Sequence, residues 1–335
     1  MPLDWTATEA AAMAVPCDAG APRPDRTAPA GCERDSTISD TLQILADPWR
    51  FLVIREAFFG ARRFGEFAAQ LGIPRATLAK NLARLVDSGI FEERALAPGS
   101  SWKRYVLSER GLDLYEIFLG LMWYGDKWLC DGLPPVALFH LPSRSWFSPR
   151  IAWRHNRSPV DPRSVLFRIR EGYWRPRQPP GARSRRLSRS AEPRGRRPCS
   201  VERTLSIVGD RWTFLILQEF FHGNKRFEDF TRNLGIASNI LADRLNNLVA
   251  GGLIERAPEG GGYALTGKGL DIYGPMILMK SWGDRWCRGE GEITARFVAR
   301  AGGTVTRAVV LVPGWDGPLR AREMRYLTSY GAPTP

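Results

Sequence analysis

Apolar residues recur at helical spacing in the first half of the chain and outline a series of amphipathic helices. Ile38, Leu42 and Leu45 stand at i, i+4 and i+7, which places them on one helix face. Asp47 and Pro48 then predict the start of a second helix, because an Asp side chain can cap a helix and Pro is tolerated at its first position.

The next elements are a short helix and a longer helix joined by a tight turn. The short helix is predicted over 65–71, Gly72 ends it, and the longer helix is predicted over 73–89. Two strands over 90–94 and 104–107 then flank a polar loop, and a final helix follows. This order of elements is typical of a winged helix-turn-helix, in which the polar loop is the wing.

The whole pattern occurs twice, at an offset of 163 residues before the wing and 158 residues after it. Residues 36–128 are called copy 1 below, and residues 199–286 are called copy 2. Aligned pairs include Asp47 with Asp210, Trp49 with Trp212, Gly72 with Gly235, Leu78 with Leu241, Leu82 with Leu245, Asp126 with Asp284, and Trp128 with Trp286. Matches this dense indicate a duplication. The sequence therefore predicts a mainly α fold with small β-wings (α+β), built as two winged helix-turn-helix domains in tandem.

Composition sets the predicted domain boundaries. Ala and Pro dominate the N-terminal region, and Arg, Pro and Ser dominate the stretch from Trp174 to Pro198, which we expect to be extended and mobile. The predicted segments are a disordered tail (1–31), domain 1 (32–131), an Arg/Pro-rich linker with a degenerate ribbon-like segment (132–198), domain 2 (199–289) and a C-terminal extension (290–335).

The net charge of +13 suggests a polyanionic partner, but its distribution changes that picture. Residues 133–198 hold sixteen Arg and three acidic residues, so this segment alone accounts for the whole excess. The segment is either a solvated linker or an arm that neutralises phosphates or lies in a minor groove. Charge by itself does not make the two domains DNA binders.

The third helix of each copy is the candidate DNA reader. One face carries the apolar residues, and the opposite face carries polar side chains that can recognise base edges. Any surface helix also has polar residues on its outer face, so the prediction of DNA binding depends on the wing and on the family resemblance described below. The candidate DNA contacts are Arg75, Thr77, Lys80, Asn81 and Arg84 in copy 1, Ser238, Asn239, Asp243, Arg244 and Asn247 in copy 2, and Lys103 and Arg104 in the first wing.

The motifs of copy 2 carry a family resemblance. They are the stretches 199–217, 226–230 (Arg-Phe-Glu-Asp-Phe), 241–245 (Leu-Ala-Asp-Arg-Leu), 252–255 and 263–269, and copy 1 matches from about Ser36 to Trp128. The unit resembles the HxlR group of MarR-like bacterial transcription regulators. This resemblance implies a winged-helix DNA-binding domain that works as a dimer, pairing through its N- and C-terminal helices. The N-terminus lacks a basic region followed by an apolar core, so we expect no secretory signal and a cytoplasmic location.

Several positions depart from that group's pattern. The group's cysteine near the first helix is matched by Cys199 in copy 2 but by Ser36 in copy 1, and Asn81 stands where Arg is frequent. The second wing, 258–262, lacks the basic residues of the first. We therefore expect copy 1 to hold phosphates more firmly than copy 2.

Cys199 is the candidate sensor residue. It begins a helix, where the dipole favours a thiolate, and Arg196, Arg197 and Arg203 add positive charge. The resemblance implies sensing of electrophiles or oxidants in this region. The alternative is an unreactive cysteine packed at a dimer contact.

Other functional classes find little support in the sequence. The five cysteines are scattered without a CxxC pair, so neither a disulfide framework nor a thiolate metal site is expected. The three histidines have no nucleophile setting, and no apolar run approaches the roughly 18 residues of a membrane span. We expect no enzyme activity, no cofactor, no metal and no membrane partner.

Two functional hypotheses follow. The first is a sequence-specific regulator of transcription, a repressor by preference, that binds double-stranded DNA through an intrachain pseudo-dimer with two unequal half-sites. Pairing of whole chains into a homodimer stays open. The second is a redox, electrophile or small-molecule sensor, or a protein-interaction module, in which one copy has lost DNA reading.

Overall fold

The computed structural model describes residues 27–45, 47–97, 102–131, 134–169, 173–177, 199–257, 261–289, 292–293 and 295–328. The helices are α1 (Thr37–Leu45), α2 (Pro48–Phe58), α3 (Phe64–Leu71), α4 (Arg75–Asp87), α5 (Glu109–Leu112), α6 (Tyr115–Trp128), α7 (Ser200–Val208), α8 (Arg211–Phe221), α9 (Phe227–Leu234), α10 (Ser238–Ala250), α11 (Gly267–Asp271) and α12 (Tyr273–Trp286). No helix in these ranges is long and apolar enough to cross a membrane.

The strands are short and lie mainly outside the helical regions. They are β1 (Cys32–Arg34), β2 (Phe91–Ala95), β3 (Lys103–Leu107), β4 (Val136–His140), β5 (Ser145–Phe147), β6 (Arg150–Trp153), β7 (Val165–Ile169), β8 (Trp174–Pro176), β9 (Ile254–Arg256), β10 (Tyr263–Leu265), β11 (Ala295–Ala299), β12 (Val305–Thr306), β13 (Ala308–Leu311) and β14 (Met324–Thr328). Each copy thus has the predicted helices and a two-stranded wing, which confirms the expected fold class.

The described residues divide into two compact units, and each unit takes segments from both halves of the chain. The copy 1 unit contains residues from 39–150, 180–214 and 310–335. The copy 2 unit contains residues from 1–38, 151–179 and 215–309. Each unit therefore combines most of one copy with the first residues of the other copy and with a segment that follows the other copy.

In the copy 1 unit, the long helix α6 packs against α7, which comes from the second half of the chain. Thr204 Oγ1 on α7 donates to the Leu121 carbonyl oxygen at 2.9 Å. Gly125 permits the close approach, because a Cβ there would overlap the Ser200 carbonyl oxygen. The hydroxyl of Ser200 donates to the carboxylate of Asp126. Burial raises the pKa of Asp126 to about 6, although this hydrogen bond and Arg203 act to lower it.

Asp126→Asn is expected to stabilise the protein at pH 8 by about 1 kcal/mol. The folded chain holds the Asp126 proton up to about pH 6, whereas an unfolded Asp loses it near pH 4. Protonated Asp126 therefore contributes its full stabilisation to the wild type below about pH 4, and this contribution is lost as the pH rises to about 6. Urea unfolding between pH 4 and pH 8 measures the difference between the variant and the wild type.

Asp284→Asn is the matched control, because Asp284 occupies the aligned position on α12 but forms an ion pair with Lys280 at 2.6 Å. It should bring no stabilisation at pH 8. An Asp126→Asn variant that is less stable than wild type at both ends of the pH range would contradict the prediction.

A three-stranded antiparallel sheet, in the order β14-β4-β5, completes the copy 1 unit. Met324 pairs with His140 and Thr328 pairs with Val136, so the end of the chain extends the strand that follows α6. Tyr326 donates its hydroxyl proton to the Phe59 carbonyl oxygen at 2.6 Å. The C-terminal segment is thereby joined to the loop that precedes α3.

The copy 2 unit has the equivalent sheet, in the order β12-β11-β7, and a further pair, β1 with β8. Phe297 on β11 faces Phe167 on β7 in the register. A 3-10 turn precedes β7 (Pro162–Ser164), as another precedes β14 (Ala321–Glu323). A 3-10 turn and a strand thus follow each copy in the same order.

Two expectations about the flanking segments change. Most of the tail, residues 1–26, lies outside the described residues, but Ala28 is buried and its N–H donates to Asn233 Oδ1 at 2.9 Å. The stretch from Trp174 was expected to be extended and mobile, yet Trp174–Pro176 form β8 and pair with β1. Residues 178–198 lie outside the described residues. The strands β4–β8 show that much of the predicted linker belongs to folded units.

Candidate nucleic-acid interface

The helix-turn-helix of copy 1 consists of α3, a glycine turn and α4. Gly72 adopts the left-handed conformation with φ 58°, and its N–H donates to the Ala68 carbonyl oxygen at 3.0 Å. This conformation suits Gly, which lacks the Cβ that makes it unfavourable for other residues. Leu78, Leu82 and Leu85 are buried on one face of α4, so the opposite face is left free to meet a partner.

The exposed face of α4 is positively charged. Arg75 and Lys80 are exposed, and Thr77 and Arg84 are half-buried. The guanidinium of Arg75 lies over the Phe64 ring, 5.1 Å from its centroid, which holds the charge at the start of the helix. This arrangement offers three cations to the phosphates and base edges of a duplex.

Asn81 does not lie where the sequence pattern placed it. The residue is 2% exposed, and its Nδ2 donates to the Thr77 carbonyl oxygen at 3.0 Å. The expectation of an outward position at the edge of the DNA-facing side was wrong. Asn at this position bonds back to the preceding turn of its own helix, an option that a helical wheel cannot show.

In copy 2, the same architecture presents a different surface. Gly235 has φ 60° and ends α9, and the exposed face of α10 carries Ser238, Asn239 and Asp243. Arg244 is half-buried and forms an ion pair with Asp243.

The half-buried Asn247 donates from Nδ2 to the Asp243 carbonyl oxygen at 2.6 Å. The face of α10 is thus rich in amide and hydroxyl groups but has little net positive charge.

The wings are fixed to the helix-turn-helix in the same way in both copies. The N–H of Tyr105 donates to the Arg62 carbonyl oxygen at 2.7 Å, and the N–H of Tyr263 donates to the Lys225 carbonyl oxygen at 2.9 Å. In each copy the bond ties the second wing strand to the residues just before the short helix. The wing tips, 98–101 and 258–260, lie outside the described residues.

The basic residues of the first wing are exposed. Lys103 Nζ lies 2.5 Å from Glu93 Oε2, and this hydrogen bond is the main cause of the raised pKa of Lys103. Arg104 is exposed beside it, and among the described residues no ion pair is recorded for Arg104. The wing therefore presents one partly neutralised cation and one available cation.

Two exposed residues at these surfaces were missed by the sequence interpretation. Trp102 is 76% exposed and directly precedes the two basic residues of the first wing. Asn246 is exposed on α10. The position of Trp102 beside two cations in a predicted wing could have been noticed in the sequence. No feature of the sequence distinguishes Asn246 from other polar residues on the helix.

Cys199 directly precedes α7 in the copy 1 unit. It is 4% exposed, and Arg55 Nη1 lies 3.5 Å from its sulfur. Arg196 and Arg197 lie outside the described residues. Within the described part of the chain, no group of three or more His, Cys, Asp and Glu side chains could hold a metal ion. The sensor role of Cys199 stays a prediction.

Comparison with known proteins agrees with this geometry. The model of the HxlR-like helix-turn-helix family matches residues 44–132 and 207–290, which together make up just over half of the chain. An uncharacterized HTH-type transcriptional regulator of Mycobacterium tuberculosis is 36% identical over 131 residues, covering 38% of this chain and 82% of that protein. The HTH-type transcriptional regulator YodB of Bacillus subtilis is 32% identical over 93 residues, covering 26% of this chain and 83% of that protein. A solved structure from Pseudomonas aeruginosa has 38% sequence identity and a TM-score of 0.25, covering 31% of this chain and 72% of that one.

Proposed function

Because the chain belongs to the HxlR-like helix-turn-helix family, we propose that it regulates transcription by binding double-stranded DNA through two non-identical winged helices. The observation that carries this proposal is the exposed cationic face of α4, with Arg75 and Lys80 outward beside a left-handed glycine turn. A recognition helix of this kind places its first turns in the major groove. The family consists of transcription regulators, in agreement with the expectation that the protein is not an enzyme.

The two copies have different roles in this proposal. Copy 1 supplies most of the phosphate and guanine contacts, through Arg75, Lys80, Arg84 and the wing residue Arg104. Copy 2 supplies hydrogen-bonding groups such as Asn239, which can pair with adenine. The operator then has two unequal half-sites, and occupancy of a promoter makes repression the simplest outcome.

The exchange of segments supports an intrachain pseudo-dimer. Each unit contains residues from both halves of the chain, so neither compact unit is complete without the other half. Such a chain presents two readers in one molecule and does not need a second chain to do so. A homodimer would instead present four readers, and sedimentation of the DNA complex distinguishes the two stoichiometries.

DNA selected from a random pool by the wild-type protein provides the operator for the test. Lys80→Ala/Arg84→Ala is expected to lower affinity for it about 10- to 100-fold and to reduce the salt dependence by about two phosphate contacts. Asn239→Ala/Arg244→Ala should have a smaller effect on affinity and should relax sequence preference in one half-site. Footprinting and titrations at several salt concentrations measure both effects.

The control is Arg300→Ala/Arg322→Ala, which removes two exposed arginines that lie outside both copies and outside the Arg-rich segment 133–198. It should bind like the wild type. If the wild type selects no sequence, or if the α4 double variant keeps wild-type affinity, the DNA-reader proposal fails. The competing proposal, a Cys199-based sensor or an interaction module, would then take its place.

A further inference from the structure

A cavity lies inside the copy 2 unit, bounded by α12, α8, the sheet strands β7 and β11, and residues 35–38. Its empty space, including the open mouth, is about 570 Å³. The wing and the recognition helix α10 take no part in lining it.

Aromatic rings form the walls of the cavity. Phe167 lies 5.2 Å from Phe297, Tyr273 lies 6.2 Å from Phe297, and Phe221 lies 4.6 Å from Tyr273, each measured between ring centroids. Rings at these separations pack preferentially against another flat ring, either edge-to-face or offset. The walls therefore suit a planar aromatic guest better than a branched aliphatic one.

Lys280 supplies the polar end of the cavity. The residue is 6% exposed, and its ammonium nitrogen lies 2.6 Å from Asp284 Oδ2. An ammonium group has three N–H donors, and Asp284 is its only recorded oxygen partner among the described residues. Thr37 Oγ1 donates to the other carboxylate oxygen of Asp284 at 2.6 Å. A buried ammonium with spare donors favours a guest that brings a hydrogen-bond acceptor.

The charges around the cavity balance. Lys280 is paired with Asp284, Asp35 accepts hydrogen bonds from Arg175 and Arg288, and Arg175 also pairs with Glu33. Burial, with a smaller effect of Arg34, lowers the pKa of His222 well below its ordinary value, so its ring is neutral at pH 7. A neutral guest keeps this balance, whereas an anion would compete with the Asp284 carboxylate for the ammonium.

We propose that this cavity is a binding site for a neutral, planar aromatic molecule that carries a carbonyl or a similar acceptor. Its ring packs against Phe167, Phe221 and Phe297, and its acceptor oxygen receives an N–H from Lys280. The site adds a small-molecule effector to the proposed DNA function and is tested without DNA, so failure of one proposal leaves the other standing.

The copy 1 unit contains a natural comparison for this site. Its cavity lies at the equivalent place, with Tyr115, Phe118 and Leu138 among the lining residues. Met122 stands at the position aligned with Lys280, and the aligned carboxylate, Asp126, accepts a hydrogen bond from Ser200. The same scaffold thus exists with a thioether in place of the ammonium. Lys280→Met copies that arrangement and is expected to fold.

Acetophenone is a suitable probe, with toluene lacking the acceptor, benzoate adding a negative charge, and cyclohexyl methyl ketone lacking the aromatic ring. Calorimetric titration of the full chain should show one acetophenone bound per chain, more tightly than the other three. Lys280→Met is expected to weaken acetophenone binding about tenfold and to leave toluene binding unchanged. Met122→Leu in the other cavity is the control and should bind acetophenone like the wild type.

Three results would overturn the proposal. They are the absence of acetophenone binding to the wild type at millimolar concentration, equal binding to Lys280→Met, and a loss of binding in Met122→Leu instead. Tighter binding of benzoate than of acetophenone would also contradict the neutral character assigned to the site. Far-UV circular dichroism of each variant checks that a loss of binding does not come from unfolding.

Discussion

Replacing Glu219 with Ala is expected to destabilise the protein by about 3–5 kcal/mol, because it leaves a buried charge without its partner. The Glu219 side chain is 1% exposed, and its Oε1 accepts from Arg34 Nε at 2.6 Å. Its Oε2 accepts from Asn224 and Asn233, at 2.6 Å and 2.7 Å. The guanidinium of Arg34 also lies 4.5 Å from the Trp174 ring centroid. Removal of this one carboxylate therefore takes away a buried acceptor that one guanidinium and two amides share.

Urea unfolding followed by tryptophan fluorescence measures this effect. Glu228→Ala is the matched control, since Glu228 is an exposed residue on α9 in the same unit. A double variant, Arg34→Met/Glu219→Leu, should lose less stability than the sum of its single changes, because it removes both charges together. Equal unfolding midpoints for Glu219→Ala and Glu228→Ala would show that the network does not stabilise the fold.

Arg55→Met is expected to have a similar effect in the copy 1 unit, a loss of about 3–5 kcal/mol. Arg55 is 2% exposed and donates to Glu56 Oε1 at 2.7 Å and to Glu202 Oε2 at 3.1 Å. Burial acts to lower the pKa of Arg55, but Cys199 and the two carboxylates more than offset it, so the pKa is raised. The methionine would leave Glu56 buried with no guanidinium beside it. Urea unfolding again measures the loss.

Arg94→Met provides the comparison, because Arg94 forms an ion pair of similar length, 2.7 Å, with an exposed Glu92. Exposed pairs contribute about 0–1 kcal/mol, so this variant should unfold near the wild-type midpoint. Arg55→Lys keeps a positive charge and should fall between the two. If Arg55→Met and Arg94→Met unfold at the same urea concentration, the carboxylates around Arg55 are solvated in the folded protein.

Local signals in the sequence predicted much of each winged helix. Asp47 caps α2 as expected and accepts from the Trp49 N–H at 2.9 Å, with Pro48 at the first position. Gly72 and Gly235 adopt the left-handed conformation that ends the short helices. These features depend on residues within one turn of each other, so the sequence alone contains the information.

The exchange of segments could not be predicted in the same way. Strand β14 pairs with β4 across more than 180 residues of sequence, and β11 pairs with β7 across about 130 residues. A strand's own residues show that it is half-buried but not which partner it meets. The sequence consequently suggested consecutive domains joined by a linker, whereas each compact unit takes segments from both halves.

Asn81 shows a second limit of the pattern. A helical wheel gives the direction of a side chain but not the hydrogen bond that it prefers, and the bond to Thr77 turns this amide inward. Trp102 shows the opposite case, because its position beside the two basic wing residues was visible in the sequence but was not used to predict a contact residue.

The assembly of each unit from both halves of the chain has a consequence for biosynthesis. The winged helix of copy 1 leaves the ribosome early, but its sheet lacks β14 until residues 324–328 have been made. At typical rates of about 5–20 residues per second, roughly 10–35 s separate the synthesis of residue 150 from that of this last strand. During that time the edge of β4 that pairs with β14 has no neighbouring strand. A nascent chain or a prematurely terminated product should therefore depend on chaperones in a way that the finished protein does not.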